Sequence, residues 1–200
     1  MEFKEILNRR YSCKSYNDKE VKNNDVIQIL ENAILAPNAG NLQAWRFIII
    51  RNEEKKQEVS IACLQQKWMN QASIFIAIAE DLEYVKLHYG KRSDLYCAQD
   101  SSLAASNIMS TAASLDLDSC FISAFDEGML RNALSLPENL KPYCVITIGY
   151  GNKKSEEKKR RSLYDFVSFN TYGNKIQSKN SFSLKNKTKK LVKKLTKHTK

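Results

Sequence analysis

The stretch Ala36-Pro37-Asn38-Ala39-Gly40-Asn41-Leu42-Gln43-Ala44-Trp45 joins two segments of opposite periodicity, and its reading decides the fold. Before it, residues 26–35 carry apolar side chains at helical spacing and must stop ahead of Pro37, whose ring disfavours helix at the preceding residue. After it, Trp45-Arg46-Phe47-Ile48-Ile49-Ile50 reads as a buried strand. The stretch is therefore a turn between a helix and a strand, a common ligand-facing surface. Asn38, Asn41 and Gln43 each carry a donor and an acceptor, and together they can read the edge of a planar heterocycle. The same amides also suit a purely structural role, tying down a tight loop.

At 200 residues, with 42% apolar and 10% aromatic residues, the chain can bury one sizeable core. It has no run of about 18 apolar residues and no charged-then-apolar leader, so the expected location is the cytoplasm. Cys13, Cys63, Cys97, Cys120 and Cys144 are scattered without a Cys-x-x-Cys pair, and there are two histidines. That argues against a zinc site or a disulfide frame, and no metal is expected. The net charge of +10 suggests nucleic acid until it is located. From Asn174 onward there are ten lysines and no acid, which leaves the body with 22 basic and 22 acidic residues. Nucleic acid is thus the weakest of the partner readings. The division expected is a domain over 1–173 and a Lys-rich tail over 174–200. Leu184, Leu191, Val192 and Leu195 fall near one helical face of that tail, a pattern suited to peripheral contact with an anionic membrane, although a solvated, disordered tail explains it as well.

Along the body the pattern predicts helices over 3–8, over 26–35 with Asp25 as N-cap, from about 51 to 64, over 96–115 and over 127–135. Strands are expected at 46–50, at 73–79 bounded by Glu80-Asp81, at 119–123 and at 143–151. Residues 82–96 show no clear period and read as an insertion or lid. The 96–115 helix carries small residues on several faces, which suits close wrapping by other elements or by a second subunit.

Two distant segments add chemistry. Arg10, Ser12 and Lys14 alternate, so in an extended segment they place two cations and a hydroxyl on one side, a face suited to phosphate. Lys158-Lys159-Arg160-Arg161-Ser162 follows the last core strand. Neither is specific alone. Phosphate anchors on two segments, combined with heterocycle-reading amides, match the needs of flavin mononucleotide (FMN). A P-loop and a Gly-x-Gly-x-x-Gly fingerprint are both absent.

These segments, with Asp100 opening the alanine-rich helix, Cys120-Phe121-Ile122-Ser123-Ala124-Phe125, Ile148-Gly149-Tyr150 and Lys159-Arg160-Arg161-Ser162-Leu163, give the chain a resemblance to the nitroreductase-like FMN-dependent oxidoreductases over residues 3–172. The resemblance implies an α+β, nitroreductase-like fold: a mixed, mostly antiparallel sheet flanked by helices, in an intertwined homodimer. It implies that Arg10, Tyr11 (through its backbone), Ser12 and Lys14 hold the phosphate and ribityl end, closed by Lys159 and Arg161. Pro37, Asn38, Ala39, Asn41 and Gln43 would line the isoalloxazine ring from the partner subunit. Gln65 would lie near the pyrimidine, and Ser123 and Ala124 near N5. Residues 165–172 would form an arm over the other subunit.

The implied activity is ping-pong transfer from NAD(P)H through flavin N5 to a nitroaromatic, a quinone or another small-molecule electron acceptor, with no catalytic side chain named. A flavin-binding or redox-sensing module without turnover, and a membrane-surface protein acting through its basic tail, are the alternatives. The chain departs from the family pattern at Ala44, where proline is usual and whose absence predicts a less rigid loop. It departs again at Tyr11, often basic or histidine, and at Asp116-Leu117-Asp118, where Gly-Leu-Gly is usual; an Asp there tolerates a left-handed backbone.

Overall fold

The structure, a computed structural model, describes residues 2–152 and 159–175. The chain divides into two compact units, Met1–Glu156 and Glu157–Lys200. The elements of the first unit are α1 (Phe3–Arg9), α2 (Asn23–Ala33), β1 (Trp45–Ile50), α3 (Glu53–Ala62), β2 (Ile74–Asp81), α4 (Leu82–Tyr89), α5 (Ser93–Ser114), β3 (Asp118–Ile122), α6 (Glu127–Ala133) and β4 (Leu140–Gly149). The sheet runs β1-β2-β4-β3, and each neighbouring pair is antiparallel.

The two middle strands are apolar on both faces because both faces are covered. Along β2, Ile74, Ile76 and Ile78 point to a core that includes Val26, Ile29 and Ala33 of α2 and Ala104, Ile108 and Ala112 of α5. Phe75 and Ala77 point the other way, toward Val59 and Ala62 of α3 and Leu130 of α6. This period of two, with helices on both sides, is what buries a strand completely. The small residues of α5 let a 22-residue helix lie close across the sheet.

Several boundaries differ from the sequence reading. Helix α2 starts at Asn23 behind Lys22, so Asp25 is not its cap but sits in its first turn, where its charge complements the helix dipole. Strand β2 runs through Glu80, which is wholly buried. Residues 82–89 form a helix, and Leu82, Val85 and Tyr89 supply its inner face at helical spacing.

The N-terminal segment is stitched to the free edge of β3. Ser12 bridges Ser119 in parallel, the Cys13 amide donates to the Ser119 carbonyl at 3.1 Å, and Tyr16 bridges Gly151. The buried Tyr16 hydroxyl donates to the Cys13 carbonyl at 3.0 Å and lies 2.8 Å from Thr147 Oγ1. In the second unit, Ser162 caps a short 3-10 turn at Leu163–Asp165, and Ser168 bridges Lys175. Apart from Asn174 and Lys175, the Lys-rich tail lies outside the described residues, as does the 153–158 stretch.

Removing the Tyr16 hydroxyl leaves a buried carbonyl and a buried threonine short of a partner. Tyr16→Phe is expected to lower stability by about 1–3 kcal/mol, read as a lower urea midpoint at unchanged slope.

Candidate functional site

The cationic cluster forms where the chain leaves α1. The Arg9 guanidinium donates to the Leu117 carbonyl at 2.8 Å and pairs with Asp116 at 3.2 Å and Asp118 at 3.5 Å. Asp116 takes the left-handed conformation expected of it, with φ +61°. The two aspartates that stand where the related pattern has glycines therefore hold Arg9 and set the start of the extended segment.

Beyond it, Cys13 is buried while Ser12 and Lys14 are exposed, the alternation an extended segment requires. Ser12 hydrogen-bonds the Cys120 thiol, which the charges of Arg10 and Lys14 also influence. Burial pushes the Cys120 thiol up, while the Lys14 charge, a hydrogen bond from Ser12 and the Arg10 charge act in the opposite direction. The Lys14 ammonium also lies 5.7 Å from the centre of the Trp68 ring. Tyr11 turns the other way: its hydroxyl donates to Cys13 Sγ at 3.4 Å, and a Cβ on Gly151 would meet it at 2.5 Å.

Three other candidates lie in the turns that follow β3 and α3. Ser123 and Ala124 are exposed directly after β3. Gln65, with φ +56°, sits in the turn before the 3-10 helix Lys67–Gln71, which reaches the same segment through the Tyr16 amide donating to Gln71 Oε1 at 3.2 Å.

The amide-rich turn is pinned from three sides. Asn38 Oδ1 accepts from the Gln43 amide at 3.0 Å, and Asn38 Nδ2 donates to the Ala36 carbonyl at 3.4 Å, so this side chain closes the loop. Both carboxylate oxygens of Asp100 accept from the Ala39 amide, at 3.1 and 3.0 Å. Gly40, Asn41 and Gln43 have φ of +57°, +56° and +50°, and the Tyr89 hydroxyl packs where a Cβ on Gly40 would be. At its end, the Ala44 carbonyl accepts from the Asp81 amide at 3.0 Å and from Arg46 at 3.2 Å. Asn41 and Gln43 are left exposed. Pro37, Asn38 and Ala39, with Tyr96, Ala98 and Leu103 of α5, line a mostly apolar concavity of about 800 Å³.

The turn and the cationic cluster are far apart in one chain. Ser119, beside Ser12, pairs with Ile148, which pairs with Ile74; Trp45, at the end of the turn, pairs with Glu80. Three strand spacings across and six residues along β2 separate the two by roughly 25 Å. A second ruler agrees: from Asp100, which holds Ala39, to Ser114, just before the residues that hold Arg9, α5 rises roughly 21 Å. Lys159 and Arg161 belong to the second unit. There Lys159 is exposed, and Arg161 pairs with Asp165 at 3.3 Å and lies 5.0 Å from the centre of the Phe166 ring.

Sequence reasoning missed Glu80. It continues the face of Ile74, Ile76 and Ile78 toward α5, where the Ser101 hydroxyl donates to its Oε1 at 2.9 Å and Oε2 has no partner. Burial, opposed by that hydrogen bond, pushes its carboxyl up to about 8. The signal was a charged residue directly continuing a fully apolar strand.

The antiparallel sheet between two helix layers defines an α+β protein. The chain belongs to the nitroreductase family, whose model matches residues 7–67 and 55–150. It is 33% identical over 149 residues, 72% of this chain and 83% of the other, to an Archaeoglobus fulgidus protein whose name makes it a candidate NADH dehydrogenase/NAD(P)H nitroreductase. It is 28% identical over 163 residues to the FMN reductase [NAD(P)H] of Bacillus subtilis, covering 74% of this chain and 66% of that protein. Among solved structures, an FMN-dependent nitroreductase of Clostridium difficile superposes with a TM-score of 0.73 at 27% identity, covering 84% of this chain and 98% of that one.

Because Glu80 is protonated in the folded state and ionised in the unfolded chain between about pH 4.5 and 8, stability falls as pH rises through that window. By pH 7 the loss from this one group is on the order of 3 kcal/mol. Glu80→Gln is expected to lack that slope, so its urea midpoint should exceed that of the parent by more at pH 8 than at pH 5.

Proposed function

We propose that this chain is an FMN-dependent NAD(P)H oxidoreductase that reduces nitroaromatics, quinones or similar small acceptors, working as a homodimer with composite sites. The observation that carries the reading is the pair of corners: a phosphate-suited cluster at one and an amide-lined turn at the other, roughly 25 Å apart, farther than one flavin mononucleotide extends. A second copy brings the turn of one chain to the cluster of the other. The exposed Leu95 and Leu103 on α5, and the apolar concavity beside the turn, give that copy a surface to cover.

The residues fit the cofactor. Arg10 and Lys14 supply charge and Ser12 a hydroxyl donor for a phosphate dianion, and Lys159 and Arg161 of the second unit carry charge of the same sign. The exposed amides of Asn41 and Gln43 offer donors and acceptors to a ring edge, while Pro37 and Ala39 offer apolar contact. Asn38 serves this site by holding the turn's shape rather than by facing the ring. Ser123 and Ala124 offer backbone groups after β3, with Gln65 as a further amide and Tyr11 contributing its main chain. When bound, FMN supplies the two-electron chemistry, taking a hydride from NAD(P)H and passing electrons to the acceptor. The protein's part is to bind, to orient two ring faces and to exclude water, which requires no catalytic acid or base.

The purified protein is expected to be yellow, with a blue absorbance band that bleaches anaerobically on adding NADH or NADPH. A colourless chain that FMN cannot reconstitute contradicts the reading. A yellow chain that never consumes NAD(P)H points to the non-catalytic alternative. Lys14→Ala removes a charge-assisted hydrogen bond worth about 1.5–3 kcal/mol, so the FMN dissociation constant should rise about 10- to 100-fold.

A further inference from the structure

The turn that reads as flavin-facing hangs from a carboxylate that has a second, deeper carboxyl behind it. Asp100 accepts the Ala39 amide with both oxygens, and the next residue, Ser101, donates to Glu80. Glu80 in turn pairs across the ladder with Trp45, the residue that closes the turn. Burial dominates in disfavouring ionisation of Glu80, and the Asp100 charge adds to it. The groups around Glu80 are Asp100, Ser101 and Cys97 from α5, Arg46 from β1 and Cys144 from β4.

We propose that Glu80 is a positioning residue for the turn: as a neutral acid bonded to Ser101 it leaves Asp100 as the single negative charge under the Ala39 amide, and its ionisation withdraws that support.

The physical reason is confinement. Glu80 is wholly buried between β2 and α5, whereas Asp100 borders the concavity beside Pro37 and Ala39. When both are ionised, the relief available is for the Asp100 carboxylate to turn away from Glu80, which releases Ala39. The cation acting on Glu80 is Arg46, whose guanidinium donates to the Ala44 and Trp45 carbonyls. Drawing Arg46 toward an ionised Glu80 loosens the far end of the same turn, so both responses act in one direction. Burial holds the neighbouring thiols protonated, Cys97 up to about 12 and Cys144 above its ordinary value, so Glu80 is the member that titrates near pH 8. This inference rests on the flavin reading of the turn for its consequence, but not for the contact between Asp100 and Ala39.

The test is FMN affinity of the full chain, by fluorescence titration between pH 6.5 and 9.5, for the parent, Glu80→Gln, Ser101→Ala and Asp100→Asn. Titrations of the flavin itself are common to all four and cancel in ratios to the parent. The parent's dissociation constant should rise severalfold as pH passes through 8 and stay flat below pH 7. Glu80→Gln, which keeps a neutral acceptor for Ser101, should lack that rise. Ser101→Ala removes a donor that favours the ionised acid and should move the midpoint to higher pH, a shift that a merely structural role does not produce. Asp100→Asn should bind weakly at every pH. Superimposable profiles for the parent and Glu80→Gln, or an unmoved midpoint in Ser101→Ala, overturn the proposal. Failure of every variant to bind FMN contradicts the flavin reading instead. In that case, exchange of the Ala39 amide in the ligand-free chain decides the pair: protection lost above pH 8 in the parent but kept in Glu80→Gln supports it, and equal loss in both overturns it.

Discussion

The antiparallel register of β2 and β4 is the constraint on which the rest of this structure depends. Both strands are buried on both faces, so neither can present a side chain to a ligand without first giving up packing. Ligand-suited groups are therefore pushed to the ends of the outer strands. One group collects beside β3, where Ser12 bridges Ser119, and the other precedes β1, where the turn runs into Trp45. The same register that makes the core sets the distance between them.

That distance gives the proposed site its composite character. Each corner is locally complete. Arg9, held by Asp116 and Asp118, fixes the chain's exit from α1, and the stitches from Cys13 and Tyr16 lay the cationic segment along β3. At the other corner, Asn38, Asp100 and the packing of Tyr89 on Gly40 hold a left-handed turn that isolated amides would not maintain. Proline at position 44 is not needed for this pinning, because the Ala44 carbonyl is already tied to Asp81 and Arg46.

Much of the fold was legible in the sequence because its signals are local. The unbroken apolar run over 73–79, helical spacing in α2 and the Pro37 stop each report on neighbours a few residues away. What was not legible depends on tertiary partners. Helix α4 buries one narrow face, through Leu82, Val85 and Tyr89, so its period was lost among exposed residues. Glu80 read as the end of a strand because charged residues seldom enter cores, and its partner there, the hydroxyl of Ser101, lies twenty-one residues away. At the candidate site the alternation of Arg10, Ser12 and Lys14 was readable, as was the cluster of amides. The division of labour among those amides was not, since Asn38 differs from Asn41 and Gln43 only in which backbone groups it meets.

The central claim is that each flavin site takes its phosphate cluster from one chain and its turn from another. Co-purified mixed dimers, one chain carrying Arg10→Ala with Lys14→Ala and its partner carrying Asn41→Ala with Gln43→Ala, test it most directly through flavin stoichiometry. In such a dimer one site receives both intact parts and the other receives neither. The account predicts that each doubly substituted homodimer is nearly flavin-free while the mixed dimer regains one tightly bound FMN per dimer. A mixed dimer as empty as its parents would contradict it.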